Sequence, residues 1–277
     1  MKTTPRQFIS VAIAAALVAL PAHPSSAEMG DWVDAAVVNV RLVASARGDL
    51  PPVAALEIEL APGWKTYWRT PGEGGLPPIL DFSQSRNVAG IKVGFPPPHR
   101  FNDGYSTTNV YEGRVVFPIE LTPEIVTSPV TLHLRFDLGV CETICIPMQL
   151  ETTLTFAPNQ TDAGAIAIFD EGQALLPMAP IPGEFEVVDF ELVRKDGHDS
   201  YFEVTAIVPQ PFGSELFVEV AEDWWPTAPQ HSTRDGNLVT FAFSFERRDA
   251  AAPLSGTPFT FTLVSAGEAI EQTIALP

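Results

Sequence analysis

The stretch that decides the fold is TLHLRFDLGVCETICIPMQL, residues 131–150, in which polar and apolar residues alternate before a pair of cysteines. Leu132, Leu134, Phe136 and Leu138 alternate with polar residues, which is the two-residue period of an antiparallel strand with one buried face. The same period occurs in ALEIELAPGW (55–64) and later in SYFEVTAIVP, ELFVEVAE, LVTFAFSFE and PFTFTLVS, with turn residues such as RDGN between them. This spacing predicts an all-β chain of β-sandwiches.

One segment departs from the two-residue period. TDAGAIAIFDEGQALLPM, residues 161–178, has Thr161 or Asp162 as N-cap candidates, helix-forming residues and a proline that ends the pattern. A short helix followed by a proline-rich connector indicates a junction between two domains. We therefore expect a signal peptide at 1–27, a first β-sandwich at 28–160, a helix and linker at 161–183, and a second β-sandwich at 184–277.

The N-terminal 27 residues have the features of a secretory signal peptide. Lys2 and Arg6 precede an apolar run, and small residues lead to Ala27. The run is shorter than the roughly 20 residues of a membrane span, so we expect a soluble exported protein that does not insert into a membrane. Its removal takes the formal charge from −18 to −20, which argues against nucleic acid as a partner.

Cys141 and Cys145 are the only cysteines of the chain, and four interpretations compete: a structural disulfide, a metal site, buried free thiols or a redox-active pair. A ring of about five residues restricts the unfolded chain little, by about 2 kcal/mol. A metal site needs three or four ligands, whereas only Met148 is close and the histidines are scattered. We therefore expect no metal and no cofactor.

Strand alternation places both cysteines on the polar face, so both thiols are expected to point away from the core. If residues 142–144 form a hairpin tip, Cys141 and Cys145 become cross-strand partners within disulfide reach; a helical turn is the second geometry that brings them together. Neither Lys nor His adjoins them in sequence to activate a thiol. This favours an exchange site whose disulfide is attacked by an incoming thiolate.

Three motifs in order carry a family resemblance: GWKTYWRTPGEGGLPP (63–78), PPPHRFNDGYSTTNVYEGRVVFPIEL (96–121) and CETICIP (141–147). Together they resemble the periplasmic N-terminal domain of the DsbD family of thiol:disulfide interchange proteins, and most of all its ScsB-like branch. The resemblance covers about residues 30–160, and the second sandwich resembles the additional domain of ScsB-like members.

The resemblance implies two immunoglobulin-like sandwiches with Cys141 and Cys145 as the redox pair, and Cys145 as the residue that enters a mixed disulfide. It places a cap loop at residues 102–106, with Asp103 in the loop and Tyr105 as the aromatic residue that shields the disulfide. It also places Trp64, Tyr67 and Trp68 near the site. Without the resemblance, these aromatic residues would be interpreted as core.

The sequence therefore predicts a periplasmic thiol-disulfide exchange protein. It would take electrons from a thioredoxin-like donor or a DsbD/ScsB/CcdA-like membrane partner and pass them to exported acceptor proteins that contain disulfides. Since the family's membrane domain and thioredoxin-like domain do not follow Pro277, we expect a separate membrane partner. The alternative is a binding or assembly module, for example in copper tolerance, with an inert disulfide. A hydrolase is less consistent, because G-x-S-x-G and H-E-x-x-H are missing.

Overall fold

A computed structural model describes residues 29–196, 198–220, 224–246 and 254–277. The signal peptide expected at residues 1–27 lies outside the described residues. Four antiparallel sheets form two β-sandwiches, each with its own hydrophobic core between two sheets. The predicted all-β fold is confirmed.

The first sandwich consists of sheets I and II. Sheet I has the strand order β1 (Val33–Asp34), β2 (Val38–Arg47), β3 (Leu50–Leu60), β9 (Arg114–Thr122), β6 (Gly90–Val93). Sheet II has the order β11 (Cys145–Phe156), β10 (Val130–Cys141), β4 (Lys65–Gly72), β8 (Thr107–Glu112), β7 (His99–Asn102), and β5 (Ile79–Asp81) also pairs with β10. Sheet II carries both cysteines.

The alternation of apolar and polar residues in the sequence matches the alternation of buried and outward-facing residues in the strands. In β10, Leu132, Leu134, Phe136 and Leu138 lie in the core, whereas the residues between them face outwards. In β11, Leu150 is buried but Ile146 is exposed. The β10–β11 hairpin therefore extends past the edge of the core and presents its tip to solvent.

The second sandwich consists of sheets III and IV. Sheet III contains β12 (Glu186–Asp196), β13 (Asp199–Ile207), β17 (Leu238–Glu246) and β15 (Trp225–Pro226), with β16 (Gln230–Asp235) also paired to β17. Sheet IV contains β14 (Glu215–Glu219), β18 (Pro258–Ser265) and β19 (Glu268–Ala275). The core of the second sandwich is rich in phenylalanine. There the Phe202 ring stacks on Phe243 and Phe245, with ring centroids 5.2 and 5.0 Å apart.

The predicted helix is α1 (Ala163–Ala174), and Asp162 is its N-cap, accepting a hydrogen bond from the Ala165 amide at 2.8 Å. This helix packs against the outer face of sheet I. The close approach needs Gly172, where a Cβ atom would lie 2.9 Å from Val116. The helix expected in the linker is thus part of the first sandwich.

The two sandwiches share a packed and charged interface. Phe217 of β14 lies in the core of the first sandwich, where its ring meets the edge of Trp68 with centroids 5.7 Å apart. Arg69 of β4 binds the Glu219 carboxylate through two hydrogen bonds, of 2.9 and 2.6 Å, and also contacts Glu271. The second sandwich is therefore fixed to sheet II, the sheet that carries the cysteines.

A second arginine strengthens this interface from β7. The Arg100 guanidinium donates hydrogen bonds to the carbonyl oxygens of Leu216 at 2.6 Å and Pro229 at 3.1 Å. Burial lowers the pKa of Arg100, and Glu215 and Glu73 partly offset that effect. Both strands that flank β8 thus contact the second sandwich.

Candidate functional site

The cysteine pair closes the β10–β11 hairpin. Cys141 and Cys145 are directly opposed in the antiparallel register, with their Cα atoms 4.1 Å apart, and they form a disulfide. Residues 142–144 form the tip. Of the two geometries left open by the sequence, the structure has the hairpin and not the helical turn, since both strands keep their pairing up to the cysteines.

The two sulfur atoms differ in their access to solvent. Both cysteines lie outside the main core, as predicted, and Cys145 is exposed. Cys141 is only 4% exposed, because Tyr67, Val110 and Phe101 form a small apolar cluster around it on the outer face of sheet II. Both cysteines therefore point away from the main core as expected, but only Cys145 is exposed to solvent.

Tyr67 contacts both sulfur atoms. Its hydroxyl oxygen lies 2.9 Å from Cys141 Sγ and 3.3 Å from Cys145 Sγ. The sulfurs of a disulfide carry no hydrogen, so the tyrosine hydroxyl is the donor. Burial raises the pKa of Tyr67, and the negative charge of Asp103 raises it further. The hydroxyl therefore keeps its proton at neutral pH, and the sequence-based placement of Tyr67 at the site is correct.

Two glycines make room for the Tyr67 ring. Gly75 has a φ of +105°, and a Cβ atom there would lie 2.2 Å from Tyr67 Cε1. At Gly139, a Cβ atom would lie 3.3 Å from the same ring and 2.8 Å from the Cβ of Leu76. A side chain at either position would collide with the ring or with Leu76, so Gly75 and Gly139 allow the tyrosine hydroxyl to reach the disulfide.

The two tryptophans expected near the disulfide lie on the opposite face of sheet II. Side chains alternate along β4, so Lys65 and Tyr67 face the disulfide whereas Trp64 and Trp68 face the main core. Trp68 is fully buried there and Trp64 packs partly against the same core. Their placement near the disulfide is therefore wrong, because the alternation of side chains along β4 puts them on the face opposite to Tyr67.

The same period could have found a residue that the sequence analysis missed. Lys65 is the β4 partner of Cys141 in the register of sheet II. Its ammonium nitrogen lies 4.1 Å from the centroid of the Phe101 ring, and the residue is only 6% exposed. The sequence analysis also missed Phe101. This residue lies immediately before the expected cap loop and packs against the cluster that contains Cys141.

The expected cap loop is the turn between β7 and β8. The Asp103 carboxylate accepts hydrogen bonds of 2.8 Å from the amides of Tyr105 and Ser106, and these bonds lower the pKa of Asp103. Tyr105, the expected shield, is 98% exposed. It does not cover the disulfide in this structure, since the loop turns its side chain into solvent; the rings beside Cys141 are those of Tyr67 and Phe101.

Three exposed apolar side chains lie at or beside the end of the β10–β11 hairpin. Ile144 is 73% exposed, and Ile146 and Leu76 are also exposed. Ile144 and Ile146 flank Cys145 in the chain, and Leu76 packs beside Gly139. We call these three residues the apolar rim of the hairpin.

Metal-ligand clusters and membrane-spanning helices are both missing from the described part of the chain. It contains no group of three His, Cys, Asp or Glu side chains placed to hold a metal ion. Within the same residues, no helix has the length and apolar character that crossing a bilayer requires.

Comparisons with known proteins agree with this site. Residues 41–157 match the sequence model of the family described as thiol:disulfide interchange protein DsbD, N-terminal. The crystal structure of the N-terminal periplasmic domain of ScsB from Proteus mirabilis is similar with a TM-score of 0.73 and 22% identity, covering 90% of this chain and 98% of that one. A comparison with curated proteins gave no match. Residues 41–157, which contain the Cys141–Cys145 disulfide, therefore form a domain of the DsbD N-terminal family.

Proposed function

We propose that the chain is a periplasmic thiol-disulfide exchange protein. It accepts electrons from a thioredoxin-like or DsbD/ScsB/CcdA-like membrane partner and passes them to disulfides of exported proteins. Membership of the DsbD N-terminal family and the fold shared with a periplasmic ScsB domain support this proposal.

The observation that carries the proposal is the asymmetry of the disulfide. Cys145 is open to solvent beside the apolar rim, whereas Cys141 is buried beneath the Tyr67 hydroxyl. A disulfide that closes such a short loop contributes little to stability, and β10 and β11 are already paired along twelve residues each. The disulfide is thus accessible to attack at one sulfur, and it contributes little to the stability of the hairpin.

The asymmetry assigns a role to each sulfur. A donor thiolate attacks Cys145 Sγ, the bond to Cys141 breaks, and its electron pair goes to Cys141 Sγ, which leaves as a thiolate. The donor's second thiolate then attacks the donor sulfur of the mixed disulfide and releases the Cys145 thiolate, so that the donor leaves as a disulfide. The chain has gained two electrons, and the reverse sequence passes them to an acceptor.

The reduction potential of the Cys141–Cys145 couple tests the proposal. It is measured by equilibration with glutathione or dithiothreitol buffers and trapping of free thiols. We expect a value within about −180 to −270 mV, the span of exchange proteins. A value well below about −300 mV with slow reduction would identify a structural bond and support the alternative, a binding or assembly module.

Two cysteine variants test the assigned roles, with reduced thioredoxin as the probe donor. The Cys145→Ala variant should lose exchange altogether. The Cys141→Ala variant should instead accumulate a mixed disulfide through Cys145 when the probe is a single-cysteine thioredoxin supplied as its activated disulfide, because neither protein then has a second thiol to resolve it. If Cys145→Ala still passed electrons, or if the probe were trapped on Cys141, the mechanism would be wrong.

A further inference from the structure

A row of four residues crosses sheet II at the disulfide. The register pairs Glu112 with Lys65, Lys65 with Cys141, and Cys141 with Cys145, across β8, β4, β10 and β11. Directly opposed residues project from the same face of a sheet, with Cβ atoms about 4.5–5.5 Å apart. Lys65 is thus the immediate neighbour of Cys141, on the side opposite to Cys145.

The Lys65 side chain is largely buried, and its ammonium group has no acidic partner among the described residues. In the described part of the chain, no carboxylate oxygen lies within 4.0 Å of it. Its contact is the Phe101 ring, and a cation over an aromatic ring gains only about 0.5–2 kcal/mol. A largely buried cation gains from a negative charge beside it, and the disulfide, which is neutral, places none next to Lys65.

Reduction supplies that negative charge. When Cys145 is attacked, the electron pair of the broken bond makes the buried Cys141 a thiolate beside Lys65. We propose that the Lys65 ammonium stabilises the Cys141 thiolate, acting as the cation that makes the buried sulfur a good leaving group. This inference rests on the proposed function for its biological role, but the interaction itself needs no partner.

Among the other charged and titratable groups on this face, the three acidic residues act against a thiolate, whereas the Tyr67 hydroxyl favours it. Glu142 belongs to the hairpin tip, Glu112 to the row of four, and Asp103 to the cap loop, where it acts electrostatically on Tyr67. His99 of β7 is exposed and pairs with Val110 of the Cys141 cluster. The Tyr67 hydroxyl is a neutral donor to the sulfur. Lys65 therefore supplies the buried positive charge among three acidic groups.

The test is the titration of the Cys141 thiol alone, in a Cys145→Ser background, followed by the ultraviolet absorbance of the thiolate. An opposite charge at short range shifts a pKa by about 1–3 units. We therefore expect Lys65→Met to move the midpoint of Cys141 upwards by about one pH unit or more, and Lys65→Arg to keep it near the original value. Lys92→Met, at an exposed lysine on β6, is the matched control and should not move it.

The reciprocal background shows whether the effect is specific. In a Cys141→Ser background, the exposed Cys145 thiol should respond much less to Lys65→Met. An unchanged Cys141 midpoint, or equal shifts of both thiols, would overturn the proposal. If Lys65→Met does not fold, Lys65→Gln provides the same comparison. Since no partner or redox potential enters the titration, its result is independent of whether the exchange function is correct.

Discussion

At the scale of single residues, the Tyr67 hydroxyl contacts both sulfur atoms of the disulfide. Because it donates to Cys141 Sγ, and a hydrogen bond to a charged group is worth about 1.5–3 kcal/mol, its removal should slow the formation of the Cys141 thiolate. We expect Tyr67→Phe to lower the rate of reduction by dithiothreitol about tenfold or more. Stopped-flow or thiol-trapping kinetics would measure this rate.

Tyr105→Phe is the matched control for that variant. Tyr105 belongs to the cap loop, but its side chain is in solvent, so the loss of its hydroxyl should leave the rate unchanged. Equal effects of the two substitutions would contradict the special position of Tyr67. A slower rate for Tyr105→Phe alone would show that the loop closes over the disulfide during exchange, as the family resemblance implied.

Asp103 makes the conformation of the cap loop depend on pH in a defined direction. Its pKa is lowered in the folded protein by the amide hydrogen bonds of the loop, so its carboxylate stabilises the turn above the ordinary Asp value and this contribution is lost as the pH falls through the lowered pKa. NMR titration of the Tyr105 and Ser106 amides should give a midpoint below about 3.9. A midpoint at or above that value, or one that persists in Asp103→Asn, would contradict this assignment.

The sequence indicated the disulfide and its contact with Tyr67 better than it indicated the other residues around them. Cys141, Cys145 and Tyr67 were placed correctly, since a lone cysteine pair and a matched motif are local signals. Lys65 and Phe101 were missed because their importance depends on pairing between β4, β7, β8 and β10, which no single motif contains. Trp64 and Trp68 were placed on the wrong face because the resemblance was applied without the alternation of β4.

At the scale of elements, the turn after β4 is shaped by the ring that it contacts. Gly75→Ala would force a side chain into the left-handed region and against the Tyr67 ring. Overpacking and backbone strain each cost about 1–3 kcal/mol, so we expect a loss of about 2–4 kcal/mol in the free energy of unfolding. Urea denaturation would measure it, together with slower reduction of the disulfide because the hydroxyl shifts.

Gly74→Ala provides the comparison within the same run of glycines. A Cβ atom at Gly74 would meet its nearest neighbour, Ser106 Oγ, at an ordinary 3.7 Å. This variant should keep both its stability and its rate of reduction within a small margin of the original protein. Similar losses for both alanine variants would mean that the turn, not the contact with Tyr67, decides the outcome.

The β10–β11 hairpin could be predicted at this scale, whereas the surface on which the helix packs could not. The period of TLHLRFDLG and the cysteine spacing define β10, its tip and β11, because cross-strand register follows from local pattern. The helix was also found, with Asp162 as its cap. Its packing on sheet I depends on Gly172 meeting Val116, a contact between residues far apart in sequence, so the helix was assigned to a linker.

At the scale of the whole molecule, Arg69 couples the two sandwiches. Burial disfavours its charge, but the hydrogen bonds and charges of Glu219 and Glu271 raise its pKa overall. Arg69→Met leaves two carboxylates without their cation at a partly buried contact, so we expect a loss of about 1–3 kcal/mol. Differential scanning calorimetry should show one unfolding transition for the original chain and two separated transitions for the variant.

Lys92→Met is the control for the loss of a positive charge. Lys92 and Glu120 form an exposed ion pair on sheet I, with nitrogen and oxygen 3.7 Å apart, and such pairs contribute about 0–1 kcal/mol. This variant should retain a single transition at nearly the same temperature. Two transitions in the unsubstituted chain would contradict the coupling through Arg69.

The sequence indicated two sandwiches but not how closely they are joined. The composition and the spacing of turns indicated a proline-rich connector. A connector does not show which faces of the two sandwiches pack against each other. The interface is built from residues separated by about 150 positions, such as Arg69 and Glu219. Only the three-dimensional packing shows that β4, which carries Tyr67, also contacts the second sandwich through Trp68 and Arg69.

Phe217 belongs to one sandwich by its strand and to the other by its packing. A descendant chain that lost the second sandwich would therefore inherit a vacancy beside Trp68 and an arginine without its acidic partners. Such a loss could persist only with compensating substitutions at Trp68 and Arg69. The two sandwiches of this chain are thus expected to be inherited as a pair, and the identities of residues 68, 69, 217 and 219 to change together among its relatives.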